Sequence, residues 1–283
     1  MKLNNNKIAI EVSPHGAELL SLQYAGREYM WSGDAAFWNR HAPILFPAVG
    51  KPFENIIHID GKAYTMKQHG FARDSKFEEL DDGRMRMLWS ADTYPYRCSL
   101  EARYRIIDNE VEVRWTVTNL DSRTMHFQIG AHPGFMLPDY DAAEAVHGYV
   151  RYLDRDGNPV GPVMVSSLED GNRVGRTPVS FPECMPVTND TFAHDALIFE
   201  NGQVAEALLC DKQGRAVLSV SCPQAEAFGI WAPHKEGCPF VCLEPWCGIC
   251  DAKGFRGDIA DRTYSHCLAP DEHYEFTYII KLL

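Results

Sequence analysis

Apolar and polar positions alternate with a period of two along most of the chain. In Cys98-Ser99-Leu100-Glu101-Ala102-Arg103-Tyr104-Arg105-Ile106 the two kinds of side chain take turns. Asp108-Asn109 interrupts the run, and Val111, Val113, Trp115 and Val117 resume it. Successive side chains of a strand point to opposite faces, so this stretch predicts a hairpin with one face in a core and the other in water. Shorter runs of the same kind fall at 7–12, 19–24, 85–89, 207–209, 216–220 and 275–283. Turn residues separate them at Asp81-Asp82-Gly83, at Asp156-Gly157-Asn158-Pro159 and at 211–214. A helical reading fits only 34–40 and 189–193, with Asp34 and Asn189 as caps. No composition break, low-complexity tract or fixed-period repeat divides the chain. The pattern predicts an all-β fold, a sandwich or barrel, in a single domain over 1–283.

Composition narrows the function classes. The 283 residues carry 27 basic and 39 acidic side chains, a net charge of −12. That balance argues against nucleic acid, which is bound through Lys and Arg on phosphates. The segment Met1-Lys2-Leu3-Asn4-Asn5-Asn6-Lys7 lacks the apolar core of a secretory signal. No stretch approaches the ~18 apolar residues of a membrane-spanning helix. The nine cysteines are an odd number, read as reduced thiols of a cytoplasmic protein.

Four segments break the alternation and combine Gly, Pro, His and charged residues, the composition of loops. They are Trp38-Asn39-Arg40-His41-Ala42-Pro43-Ile44-Leu45-Phe46-Pro47, Gln68-His69-Gly70-Phe71-Ala72-Arg73-Asp74, Gly130-Ala131-His132-Pro133-Gly134-Phe135 and Leu243-Glu244-Pro245-Trp246-Cys247-Gly248. A fifth candidate is His194-Asp195-Ala196-Leu197-Ile198-Phe199. In this order they resemble the aldose 1-epimerase (galactose mutarotase-like) superfamily. His-Gly-Phe-Ala-Arg, Gly-Ala-His-Pro-Gly-Phe and Leu-Glu-Pro-Trp are most similar to its LacX-type branch. The resemblance implies a large antiparallel β-sandwich that needs no cofactor or metal and interconverts the α and β anomers of a hexose. It implies His132 as general acid and Glu244 as general base. It also implies that Arg40, His69 and Asp195 hold the sugar.

The chemistry of the residues agrees with those roles. Mutarotation takes a proton from the C1 hydroxyl and delivers one to the ring oxygen, and a carboxylate and an imidazole can both be tuned for this near neutrality. The apolar flanks of Glu244 raise its pKa, while His132 has to be protonated, which a nearby carboxylate favours. Trp231, Phe71, Phe135 and Trp246 are candidates for an apolar wall against the sugar. Each residue also has a plainer reading: loop histidines at 69 and 132, a strand-end charge at 244, a surface ion pair for Arg40, an Asx turn at Asp195. Cys238, Cys242, Cys247 and Cys250, the last two spaced C-x-x-C, invite a zinc reading. They lack the two paired knuckles, so buried free thiols are expected.

Three alternatives remain open. A hexose-6-phosphate 1-epimerase on the same fold would use Arg73, with Lys51 or Lys67, to grip phosphate. A non-catalytic carbohydrate-binding protein would have one of the acid–base pair replaced or misplaced. A glycoside hydrolase would need a second well-placed carboxylate. The sugar identity and the oligomeric state are not readable from the sequence.

Overall fold

The computed structural model describes residues 1–283 except 81, 162 and 181–183. Two large sheets dominate. One has nine strands in the order Met185–Val187, Gly148–Leu153, Glu206–Cys210, Ala216–Ser221, His273–Leu282, Glu110–Asn119, Tyr94–Ile107, Met85–Ala91, Glu78–Glu79. The other has eight, in the order Asn172–Val179, Val163–Glu169, Leu197–Phe199, Ala227–Trp231, Phe240–Cys247, Ile129–Ala131, Ile44–Leu45, with Gly134–Met136 also paired to Phe240–Cys247. A four-stranded sheet covers Lys2–Asn4 to Arg27–Glu28.

The alternation read along the chain becomes the inner face of the nine-stranded sheet. In Glu110–Asn119 the odd residues Val111, Val113, Trp115 and Val117 are all fully buried. Their hairpin partner Tyr94–Ile107 pairs antiparallel through the Asp108-Asn109 turn. One hydrophobic cluster contains Trp115, Phe276 and Ile280 from this sheet together with Phe228, Ile230 and Leu243 from the other. The molecule is thus an antiparallel β-sandwich, closed by apolar burial between two inner faces.

Two expected helices are turns. At 34–40 the Asp34 carboxylate accepts from Ala36 N at 2.8 Å and the Asp34 carbonyl accepts from Phe37 N and Trp38 N, but the chain leaves after one turn. At 189–193, Ala193 N bonds Asp190 O at 3.1 Å, and Asn189 faces His147 instead of capping. Neither segment is long enough to offset the cost of helix nucleation. The turn at 82–83 closes through Gly83 N and Leu80 O, while Asp81 lies outside the described residues.

The strand Phe240–Cys247 departs from the loop expected at 243–248. All eight of its residues are buried. Leu243 and Cys247 join the main core, whereas Glu244 and Trp246 line a cavity on the opposite face. A strand covered on both faces shows no polar–apolar alternation, which is why its sequence does not read as one.

Candidate active site

The cavity lies on the side of the eight-stranded sheet away from the core. Its volume is about 290 Å³, close to the roughly 300 Å³ lower end for small-molecule sites. Sheet residues Glu244, Trp246, Trp231 and Ile198 form its floor, and loop residues Trp38, Gln68, His69, Arg73, His132 and Asp195 form its walls.

His132 stands in the two-residue gap between Ile129–Ala131 and Gly134–Met136, both of which pair with the Glu244 strand. That arrangement brings His132 Nε2 to 3.1 Å from Glu244 Oε2. Both side chains are buried. Neither Glu244 oxygen nor His132 Nδ1 has a hydrogen-bond partner among the described residues. Trp38 stacks on the His132 ring at 4.9 Å, and Trp231 and His69 meet it edge-on at 5.5 and 5.4 Å.

Burial decides where the proton of this pair resides. It drives the Glu244 carboxyl well above its usual range, with the Asp195 charge adding to the rise. It pushes His132 down to about 3, helped by the Arg73 and Arg40 charges. The uncharged tautomer, neutral imidazole beside carboxylic acid, is therefore favoured, because a dry site penalises two ions more than their attraction returns. This reverses the protonated His132 expected from the neighbouring carboxylate.

His69 is fixed by its backbone. It has φ of 66°, and Gly70 follows with φ of 70°. A Cβ at Gly70 would stand 2.2 Å from Phe46 O, so only glycine fits there. Gly50 N donates to His69 Nδ1 at 3.1 Å, and the Gln68 side-chain amide lies 3.3 Å from Nε2. Burial, then the Arg73 charge, holds His69 well below its ordinary pKa.

Arg73 donates through Nη2 to Gln68 O at 2.6 Å, while its buried Nε has no partner among the described residues. Burial and the Arg40 charge pull its pKa down to about 10. Asp195, with φ of 75°, lines the cavity mouth and accepts from Ala196 N at 2.8 Å. Arg40 does not line the cavity. Its Nη2 donates to Asp74 Oδ1 at 2.7 Å and its Nη1 to Arg73 O at 3.4 Å. The structure thus brings His132, Glu244, His69, Arg73 and Asp195 into one cavity, with Arg40 bonded to Asp74 and to the Arg73 carbonyl beside it.

The aromatic wall differs from the expected set. Trp231 and Trp246 line the cavity, joined by Trp38. Phe71 instead stacks on Trp89 at 3.6 Å, and Phe135 is fully buried in the core. Sequence reading also missed Gln68 and Gly50 as lining residues. Of the four clustered cysteines, Cys250 lines the cavity and Cys247 points into the core, and none of the nine cysteines forms a disulfide.

Two strand glycines shape the floor. Gly130 pairs with Trp246, and Gly229 pairs with Glu244. A Cβ at either would come within 2.7 Å of the Trp246 indole. The indole therefore lies flat over bare backbone, its Nε1 donating to Ala131 O at 3.2 Å. Gly229→Ala is expected to lower stability in urea unfolding by about 1–3 kcal/mol, the usual cost of overpacking. A neutral result would mean that the indole is free to move.

Comparison with known proteins assigns the class. The aldose 1-epimerase family profile matches residues 1–281, and the chain belongs to that family. The protein is an isomerase of the aldose 1-epimerase type. Within the family it falls in the LacX-type branch: the chromosomal LacX protein of Lactococcus lactis subsp. lactis is 25% identical over 269 residues, 88% of each chain. A galactose mutarotase-like protein from Lactobacillus casei superposes with a TM-score of 0.89 at 29% identity, covering 100% of this chain and 99% of the other. A galactose mutarotase related enzyme from Lactobacillus acidophilus gives a TM-score of 0.89 at 27% identity, with 100% and 97% covered.

Proposed function

We propose that the protein interconverts the α and β anomers of a free aldohexose. His132 and Glu244 exchange protons with the sugar, and Arg73, His69 and Asp195 hold it. The observation that carries this reading is the buried 3.1 Å contact between His132 and Glu244 in a cavity of monosaccharide size, with neither carboxylate oxygen hydrogen-bonded among the described residues.

The pair holds one exchangeable proton, which has two places to sit. With the charge separated, His132 donates to the ring oxygen while Glu244 takes the C1 hydroxyl proton. The ring C1–O bond breaks and C1 becomes a carbonyl carbon. That step leaves neutral His132 and protonated Glu244, the tautomer that burial favours before any sugar enters. After rotation about C1–C2, the ring oxygen attacks the other carbonyl face, the carbonyl oxygen recovers its proton from Glu244, and His132 takes the hydroxyl proton. Sugar hydroxyls supply donors to the orphaned carboxylate oxygens, which stabilises the anion and draws the proton across to His132 as the substrate binds. Arg40, held by Asp74, acts on the pair through its charge.

Polarimetry of freshly dissolved α-glucose and α-galactose, with and without protein, tests the reading. Faster equilibration of either sugar supports it, and spontaneous rates for both would sink it. A second reading, a hexose 6-phosphate as substrate, is favoured by one observation: Lys51 and Arg73 line the same cavity. Lys51 donates to Asp170 O at 2.8 Å and would have to turn toward a phosphate. A charge-assisted bond to phosphate is worth about 1.5–3 kcal/mol. With free hexoses as substrate, Lys51→Ala leaves kcat/KM within about threefold, since no such bond is lost. A loss of more than about tenfold on a hexose 6-phosphate alone would move the assignment to the phosphate.

A further inference from the structure

A second group of chemistry-bearing side chains sits behind the sugar cavity and takes no part in the proposed reaction. Cys247 follows Trp246 by one residue, so its side chain points to the opposite face of the strand. There it meets Glu226, which precedes Ala227–Trp231, and His266, the first residue of His266–Leu268. The thiol sulfur, a carboxylate oxygen and an imidazole nitrogen all lie within 4.8 Å of one another. His266 Nε2 is 3.1 Å from Glu226 Oε2, and the Tyr274 hydroxyl lies 3.3 Å from Cys247 Sγ.

We propose that Glu226, Cys247 and His266 form a structural binding site for a borderline-soft divalent cation of the zinc type, outside the sugar cavity. Tetrahedral zinc, with bonds of about 2.0–2.3 Å, separates its ligand atoms by roughly 3.3–3.8 Å. The three groups reach that spacing with small side-chain movements. One sulfur, one nitrogen and one carboxylate oxygen suit zinc or cobalt and do not suit calcium or magnesium, which select oxygen alone. The fourth position falls to the Tyr274 hydroxyl or to water.

The surroundings fit a closed site with one entrance. Cys247 is fully buried, while the side chains of His266 and Glu226 keep 22% and 32% of their exposure, which gives an ion a way in. Tyr274 and Phe127 flank the imidazole with ring centroids at 4.7 and 5.9 Å. The ligands come from three segments, two of which meet at Trp246. Glu226 N donates to Trp246 O at 2.9 Å, and Cys247 is its neighbour in the chain. A bound cation would fix the backbone that carries the cavity floor without touching the sugar.

A second trio, His132, Cys242 and Glu244, also has its ligand atoms within 4.8 Å of one another, but it belongs to the sugar site. The test separates the two. Chelator-treated protein, reduced and free of oxygen, is titrated with Co²⁺ and followed by its thiolate-to-cobalt charge-transfer band and tetrahedral visible bands. The expected result is one equivalent bound, displaced by Zn²⁺, with a rise in Tm. The bands persist in Cys242→Ala and vanish in Cys247→Ala. His266→Gln, at the rim of the site, serves if the buried Cys247 variant does not fold, and its cobalt affinity is expected to fall at least tenfold, since losing even a partner that only orients a ligand costs about that much. The proposal is overturned by bands lost in Cys242→Ala but kept in His266→Gln, or by parent protein that shows no band at millimolar cobalt.

Discussion

Glu244→Gln is expected to slow anomer exchange by about 10²–10⁴-fold, the range that proton transfer by a positioned side chain contributes. His132→Asn should cost about as much. Because the two groups share one proton, the double variant should be hardly slower than either single one, as for residues that act as a unit. Glutamine is a close match for the protonated carboxyl that burial favours, so the Glu244→Gln protein should melt near the parent temperature. Equal stability with lost activity separates chemistry from folding. The pH profile follows from the same pair. A second proton joins the pair only when neutral His132 is protonated, and that group is held at about 3. The acid limb of kcat/KM therefore lies far below pH 6.5, and activity at pH 5 should be within about twofold of that at pH 7. A loss of activity centred near 6.5 would show that His132 titrates as an ordinary, hydrated histidine.

The largest effect on stability is expected at Asp251. Its Oδ1 accepts from Arg262 Nε at 2.7 Å and its Oδ2 from Phe53 N at 2.9 Å. Both members of the pair are buried, with side-chain exposures of 4% and 1%. Arg262 also reaches the carbonyls of Val49 and Ile249 at 3.4 Å, and Gln128 bonds Val49 N, Ile249 O and Thr263 O beside it. This network joins the segments that carry Gly50, Lys51 and Cys250 to the cavity wall. Asp251→Ala leaves the Arg262 charge buried and uncompensated, which should lower stability by about 3–5 kcal/mol in urea or guanidinium unfolding. Asp251→Leu combined with Arg262→Met removes both charges and should recover most of that loss. If the double variant were as unstable as the single one, the packing of the segments, and not the buried charge, would be responsible.

The sequence made one half of the sandwich plain and left the other half obscure. Glu110–Asn119 and Tyr94–Ile107 were legible because each has one wetter and one dry face. Ala227–Trp231 and Phe240–Cys247 were not, because one face meets the core and the other meets the cavity, so no alternation survives. The site was legible through loop composition: His69, Arg73, His132 and Glu244 stand in segments rich in Gly and Pro, and the cavity collects them. Arg40 belongs to the same kind of segment, yet its guanidinium is bonded to Asp74, a partner that only the folded chain supplies. The protonation of His132 could not be read from its neighbours, because a contact with a carboxylate raises an imidazole pKa in water and burial lowers it. Trp246 carried a signal that went unused: glycines at 130 and 229 in otherwise apolar strand sequence mark where a large ring lies on the backbone.

The strand that holds Glu244 is bonded along both edges, to Ala227–Trp231 on one side and to Ile129–Ala131 and Gly134–Met136 on the other. Its amides should thus be among the last in the molecule to exchange with deuterium, opening only with the whole fold. The carboxylate rides on an element with no low-energy route to partial opening. On heating, activity should therefore persist until the cooperative transition and disappear with it, so that the inactivation curve and the unfolding curve coincide.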